Sequence, residues 1–374
     1  MLSNILVAPG KIDLREIARP KPSSGEIVIQ IKAALTCGTD LKAFKRGHPV
    51  IPMPGVFGHE FSGIVAETGR GVRKFKEGDE IMAVHSAPCL ECRYCKRRLY
   101  NLCENIMNTK VLGAFAEYVL LPSHIVRQNA FLKPANLSFE EAAFLEPLSC
   151  VVHGMESVRV KKNDDALVIG AGPIGLLHLL LLKEKGAKVT MMDKHDEKLR
   201  MAKSLGADFT IISTPPSPPF AKVGNKKIVT DSIEVTPFGK GGMGRILRDD
   251  QKARDKDFIG FDHVFECTGI PAVWQSSVDY GRKGGTVILF GGCKSGTKVT
   301  YDAGKLHYDE ITLKGVFHFT PSDVKKAYRL LCERKIRVLG LITGRYPLRH
   351  TYKAFDKLSI GVGIKYAIIP SAKP

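Results

Sequence analysis

One stretch limits the possible folds more than any other: Val168-Ile169-Gly170-Ala171-Gly172-Pro173-Ile174-Gly175. Residues 166–169 read as a buried strand and 173–185 as a helix, so the glycines fall in the turn between them. A second strand reads at 188–192 and ends beside Asp193, 23 residues after Gly170. A G-x-G-x-x-G turn in this setting, with an acidic residue closing the next strand, is a dinucleotide-binding fingerprint. Glycine is needed three times: Gly170 at a tight turn, Gly172 where the backbone nears a pyrophosphate, Gly175 where helix packs on strand. The helix opening at Pro173 and Ile174 turns its positive end toward the phosphates. Asp193 would accept hydrogen bonds from the adenosine ribose and repel a 2′-phosphate, which favours NAD over NADP. Lys194 and Lys198 are close enough to moderate that preference.

Another helix at 197–205 and strands at 262–266 and 286–290 continue the β-α-β-α series, so a doubly wound parallel sheet is expected. Residues 213–258 break the rhythm with Pro215, Pro216, Pro218, Pro219 and a glycine-rich run, and read as an insertion. The first 155 residues are different. Strand candidates at 27–31, 61–65 and 80–84 are separated by Gly/Pro punctuation, as in a partly open barrel. After about residue 300 the chain reads like the first part again, with a strand at 311–317, a helix at 321–334 and a strand at 365–369.

A 374-residue chain can bury two cores. No apolar run approaches the roughly 20 residues of a membrane span, and the N-terminus lacks the basic segment of a signal peptide, so a cytoplasmic protein is the default. The net charge is +18, with 14 Lys+Arg against 6 Asp+Glu in residues 301–374. That charge is dispersed and no nucleic-acid-binding spacing accompanies it, so neither nucleic acid nor membrane is an expected partner. A basic surplus in the C-terminal part would suit a phosphorylated or carboxylate substrate.

Cys89-x2-Cys92-x2-Cys95-x7-Cys103 places four of the nine cysteines within fifteen residues. Four soft thiolates in a short lobe suit a closed tetrahedral zinc of structural type. The rival is an iron–sulfur cluster, which shares the C-x2-C-x2-C run. Cys37, His59, Glu60 and Glu146 are further candidate ligands, but each alone is more often an ordinary core residue.

Taken together in this order, these motifs resemble the zinc-dependent medium-chain alcohol dehydrogenases, most closely the sorbitol and threonine dehydrogenase branch. Glu146-Pro147-Leu148, Gly206-Ala207-Asp208, Glu266-Cys267-Thr268-Gly269 and Gly291-Gly292 add to the match. The resemblance implies a GroES-like catalytic domain at 1–155 and 300–374, and a Rossmann nucleotide domain at 156–299. It implies that Cys37, His59 and Glu146 bind a catalytic zinc, with Glu60 in or just behind that shell, and that Thr39 bonds the substrate oxygen. Cys150, one turn beyond Glu146, is a rival third ligand. Thr268, Gly269 and Gly291 would line the nicotinamide end, and Lys365 would lie near the pyrophosphate. Lys42 stands where many members carry a proton-relaying histidine, which leaves the proton exit open.

The implied activity is oxidation of a secondary alcohol, such as a polyol, to a ketone, with NAD, one catalytic zinc and one structural zinc. Zinc would favour the alkoxide, from which hydride passes to nicotinamide. A homodimer or homotetramer assembled through the strand at 286–290 is also implied. The alternatives are an NADP-linked carbonyl reductase and a non-catalytic nucleotide-binding protein.

Overall fold

The computed structural model describes residues 1–213 and 258–370, together with the backbone of the short strand Arg245–Ile246. The expected insertion at 213–258 therefore lies outside the described residues, apart from its two flanks and that strand. Two compact units are formed, Met1–His153 with His318–Pro374, and Gly154–Phe317.

The first unit is built on a sheet whose strands follow the order Ile342–Pro347, Lys365–Ile369, Ile27–Leu35, Glu60–Thr68, Glu80–Ala83 and Ala130–Leu132, with Tyr118–Leu121 also paired to Ile27–Leu35. Ile27–Leu35 is buried along nearly its whole length because it packs on both faces, and its register against Glu60–Thr68 slips twice. Such bulges bend a strand and sharpen its twist, which curls the sheet. Phe57, Phe115 and Phe355 meet in the core with ring centroids 4.9–5.7 Å apart. The helix Gly38–Arg46 starts at Cys37, whose sulfur accepts from the Thr39 N–H, and stops at Gly47 in the left-handed region (φ 80°). Both ends of that helix are thus set by local chemistry, and its first turn delivers Asp40 to the core and leaves Thr39 half-buried.

The second unit is a seven-stranded sheet ordered Arg245–Ile246, Phe209–Ile212, Lys188–Asp193, Asp165–Ile169, Phe261–Glu266, Gly281–Leu289, Thr312–Gly315. All pairings are parallel except the one made by Arg245–Ile246. The strand order reverses beside Asp165–Ile169, so the crevice at its carboxyl end is where such sheets bind ligands. The helix Pro173–Glu184 is apolar nearly all round, and six of its residues from Leu176 to Leu182 are buried.

Two expectations are corrected here. The boundary expected at 300 falls at 317, because Thr312–Gly315 pairs with Gly281–Leu289 and so completes the nucleotide-type sheet. The strand at 286–290 is also paired on both sides, by Phe261–Glu266 and Thr312–Gly315, so its edge is closed to a second subunit.

Gly175 is fixed by packing. A Cβ there would lie 1.8 Å from the Gly170 carbonyl oxygen. Gly175→Ala should therefore destabilise the protein by about 1–3 kcal/mol, the usual cost of overpacking, as read by denaturant unfolding.

Candidate active site

Within the nucleotide-type unit the three glycines of the turn have three different environments. Gly170 has φ 104°, a value that side chains rarely adopt. Gly172 caps the helix and has open space where a Cβ would project, leaving room for a phosphate to approach the backbone. Asp193 is held rigidly, accepting from the Ala171 N–H at 2.7 Å and the His195 N–H at 2.9 Å. Gly170, Gly172, Asp193, Lys194, Lys198 and Thr268 line one cleft at the strand ends. Pro173 and Ile174 form the helix's first turn.

Gly269 and Gly291 pack on each other rather than lining that cleft: a Cβ on Gly291 would lie 2.2 Å from the Gly269 nitrogen. Their turn is tied down by Glu266, a residue whose role the sequence did not disclose. Its buried carboxylate accepts from the Thr268 N–H at 2.8 Å, from the Gly269 N–H at 3.1 Å, and from the Thr268 hydroxyl.

In the first unit the cysteine quartet is assembled as its spacing suggests. The ligand atoms of Cys89, Cys92, Cys95 and Cys103 lie within 4.8 Å of one another. The Sγ···Sγ separations of 3.5 Å (Cys89–Cys103) and 4.0 Å (Cys89–Cys95) bracket the edge of a zinc–thiolate tetrahedron, about 3.8 Å for a 2.3 Å Zn–S bond. Backbone N–H groups at Cys95 and Glu104 draw the Cys92 thiol down to about 6, while burial pushes Cys95 up to about 12. Four sulfurs this close could hold a metal ion, which would draw them into the thiolate form.

The dispersed candidates also converge. His59 belongs to two groups whose ligand atoms lie within 4.8 Å of one another, one with Cys37 and Asp40 and one with Glu60 and Glu146. Cys37 reaches the site from the start of its helix, His59 and Glu60 from the start of a central strand, and Glu146 from the first turn of the helix Leu145–Glu156. His59, Glu60 and Glu146 are each under 10% exposed. Burial raises the Glu146 carboxyl to about 7 and also raises Glu60, against the pull of Lys365 and His59. Burial opposes charge on His59 too, but Asp40 and the Cys37 sulfur raise it well above the imidazole range. A thiol, an imidazole and carboxylates gathered out of water fit a borderline-soft divalent cation such as zinc. Cys150 lies outside both groups, with its sulfur donating to Glu146 Oε1 at 3.7 Å.

Lys365 is not where it was expected. Its ammonium is buried in the first unit, donating to the Thr36 carbonyl at 2.8 Å and pairing with Glu60 Oε2. A side chain 1% exposed and held at both contacts is a partner for the ligand cluster, not for a pyrophosphate. Asp40 was missed by the sequence reading. It is fully buried and faces His59 Nδ1 at 3.2 Å, the position of a carboxylate that fixes a ligand's tautomer. Its one available signal was its place three residues after Cys37, on the first turn of the same helix. Asp40→Asn should weaken zinc binding at this cluster by about 10–100-fold in a chelator competition, with the cysteine quartet unaffected.

Comparison with known proteins agrees with this geometry. Residues 23–130 match the family model "Alcohol dehydrogenase GroES-like domain" and residues 173–333 match "Zinc-binding dehydrogenase". D-arabitol-phosphate dehydrogenase of Enterococcus avium is 34% identical, over 96% of this chain and 95% of that protein. Sorbitol dehydrogenase of Halalkalibacterium halodurans is 29% identical, over 96% of each. A zinc-binding dehydrogenase from Sinorhizobium meliloti, solved bound to NADP, superposes with a TM-score of 0.79 at 28% identity, covering 99% of both chains. The buried ligand cluster, the cysteine quartet, the reversed parallel sheet and these matches have one reading: the chain belongs to the zinc-dependent medium-chain alcohol dehydrogenases, in their sorbitol dehydrogenase-like branch.

Proposed function

We propose that the protein is an NAD-linked dehydrogenase that oxidises one secondary alcohol of a polyol to a ketone. The observation that carries this reading is the pair of ligand groups that share His59, one with half-buried Cys37 and one with buried Glu60 and Glu146, backed by Asp40 and Lys365. When bound, zinc supplies Lewis-acid activation of a carbinol oxygen and the dinucleotide accepts a hydride. Cys37, His59 and Glu146 would hold the metal, with Glu60 poised behind them. Thr39, on the helix turn beside Cys37, would hydrogen-bond the substrate oxygen through Oγ1 and, as it takes up the substrate's proton, give its own hydroxyl proton onward. Cys89, Cys92, Cys95 and Cys103 would hold a second, structural zinc and take no part in the reaction.

Met1–His153 with His318–Pro374 is thereby assigned the chemistry, and Gly154–Phe317 the nucleotide. Asp193, a fixed negative charge in the nucleotide cleft, supports NAD, while Lys194 and Lys198 soften its discrimination. A cytoplasmic homodimer or homotetramer fits the family resemblance.

A phosphorylated polyol is the second reading, and one observation favours it. His48, lowered by burial, is lowered further by Lys42, Arg46 and Lys110 against the pull of Asp40, which puts three cations near it in the same unit as the ligand cluster. A relative named for a phosphorylated pentitol adds to this. The deciding assay is a panel of pentitols, hexitols and their phosphates with NAD and NADP. Polyol oxidation at least tenfold more efficient with NAD is expected. Strict use of NADP, or no turnover of any alcohol, would overturn the reading.

A further inference from the structure

Two imidazoles beside the ligand cluster take no part in the chemistry described so far. His85 follows the strand Glu80–Ala83 and is 5% exposed. Its ring centroid lies 5.0 Å from His59 and 5.4 Å from His318. Its Nδ1 lies 3.4 Å from Glu146 Oε1 yet makes no hydrogen bond among the described residues. A buried nitrogen left unpaired costs about 1–3 kcal/mol, so a partner from outside the chain is the economical explanation.

The ring cannot easily turn away. His59, His318 and Phe319 bracket it, at interplanar angles of 58°, 84° and 87°. His318 is itself anchored, with Nε2 2.6 Å from Ser86 Oγ, and its backbone is left-handed at φ 61°. A non-glycine residue in that region stores strain, as side chains placed for function often do. An imidazole nitrogen can donate to or accept from a hydroxyl, which makes a hydroxyl a fitting partner for the unpaired Nδ1.

We propose that His85, steadied by His318 and Ser86, binds the hydroxyl on the carbon next to the one being oxidised, so that the site selects vicinal diols over isolated secondary alcohols. This rests on the dehydrogenase reading above. The two oxygens of a gauche diol stand about one hydrogen-bond length apart. An oxygen bound at the Glu146 cluster therefore leaves its neighbour within reach of His85 Nδ1, which already lies at the cluster's edge. His85 would be a specificity-determining residue and His318 a positioning one.

The test compares butane-2,3-diol with butan-2-ol, which share a skeleton and differ by that hydroxyl. In His85→Phe the ratio of kcat/KM for diol over mono-ol should fall about 5–10-fold, the loss of one neutral hydrogen bond, with zinc content unchanged. His85→Gln, which keeps a donor, should restore most of the ratio and also guards against misfolding of the phenylalanine variant. His318→Asn, tolerant of the left-handed backbone, should lower the ratio less than His85→Phe does. Equal losses on both alcohols, or loss of zinc, would overturn the proposal and make His85 a support for the metal ligands. Turnover of neither alcohol by the unaltered protein, with polyols also inert, would instead overturn the dehydrogenase reading on which it stands.

Discussion

Charge buried out of water governs the first unit. Asp40, Glu60 and Glu146 are all 5% exposed or less, gathered around one imidazole, with the Lys365 ammonium paired into the group. Carboxylates held that way repel one another and lose their hydration, and a single lysine offsets only part of the cost. A bound divalent cation would offset the rest and turn a destabilising cluster into a ligand sphere. The surrounding fold is arranged to deliver these groups: a capped helix start for Cys37 and Asp40, a central strand for His59 and Glu60, a helix's first turn for Glu146, and the last strand for Lys365.

The same economy appears in the second unit, with glycine in place of charge. Gly170 gives the turn, Gly172 the open approach and Gly175 the contact, and each is needed for a different reason. Glu266 plays the part there that Asp40 plays in the first unit, a buried carboxylate spent on orienting neighbours.

Much of this was legible in the sequence, where local chemistry determines the outcome. The glycine turn, Asp193 and the cysteine quartet are short-range patterns whose geometry follows from spacing, and the structure brings each set together. The strands at 27–31, 61–65 and 365–369 were visible as apolar runs because they are buried on both faces. What failed was long-range. Nothing near Thr312–Gly315 shows which sheet it will join, so the boundary was set too early. Lys365 looked like a basic residue for a phosphate because its sequence neighbours do not reveal Glu60, 305 residues away. The roles of Asp40, His85 and Glu266 were not legible because a carboxylate or imidazole shows its role only through its burial and its partner.

The central claim is that the His59 cluster, not the cysteine quartet, carries the chemistry through a bound zinc. Metal-stripped protein titrated with zinc, assayed for polyol oxidation beside a Glu146→Ala variant, tests it most directly. The account predicts that activity returns as zinc fills the cluster, while the variant stays folded, keeps only the quartet's zinc and oxidises nothing. Full polyol oxidation by zinc-free protein, or by the Glu146→Ala variant, would contradict it.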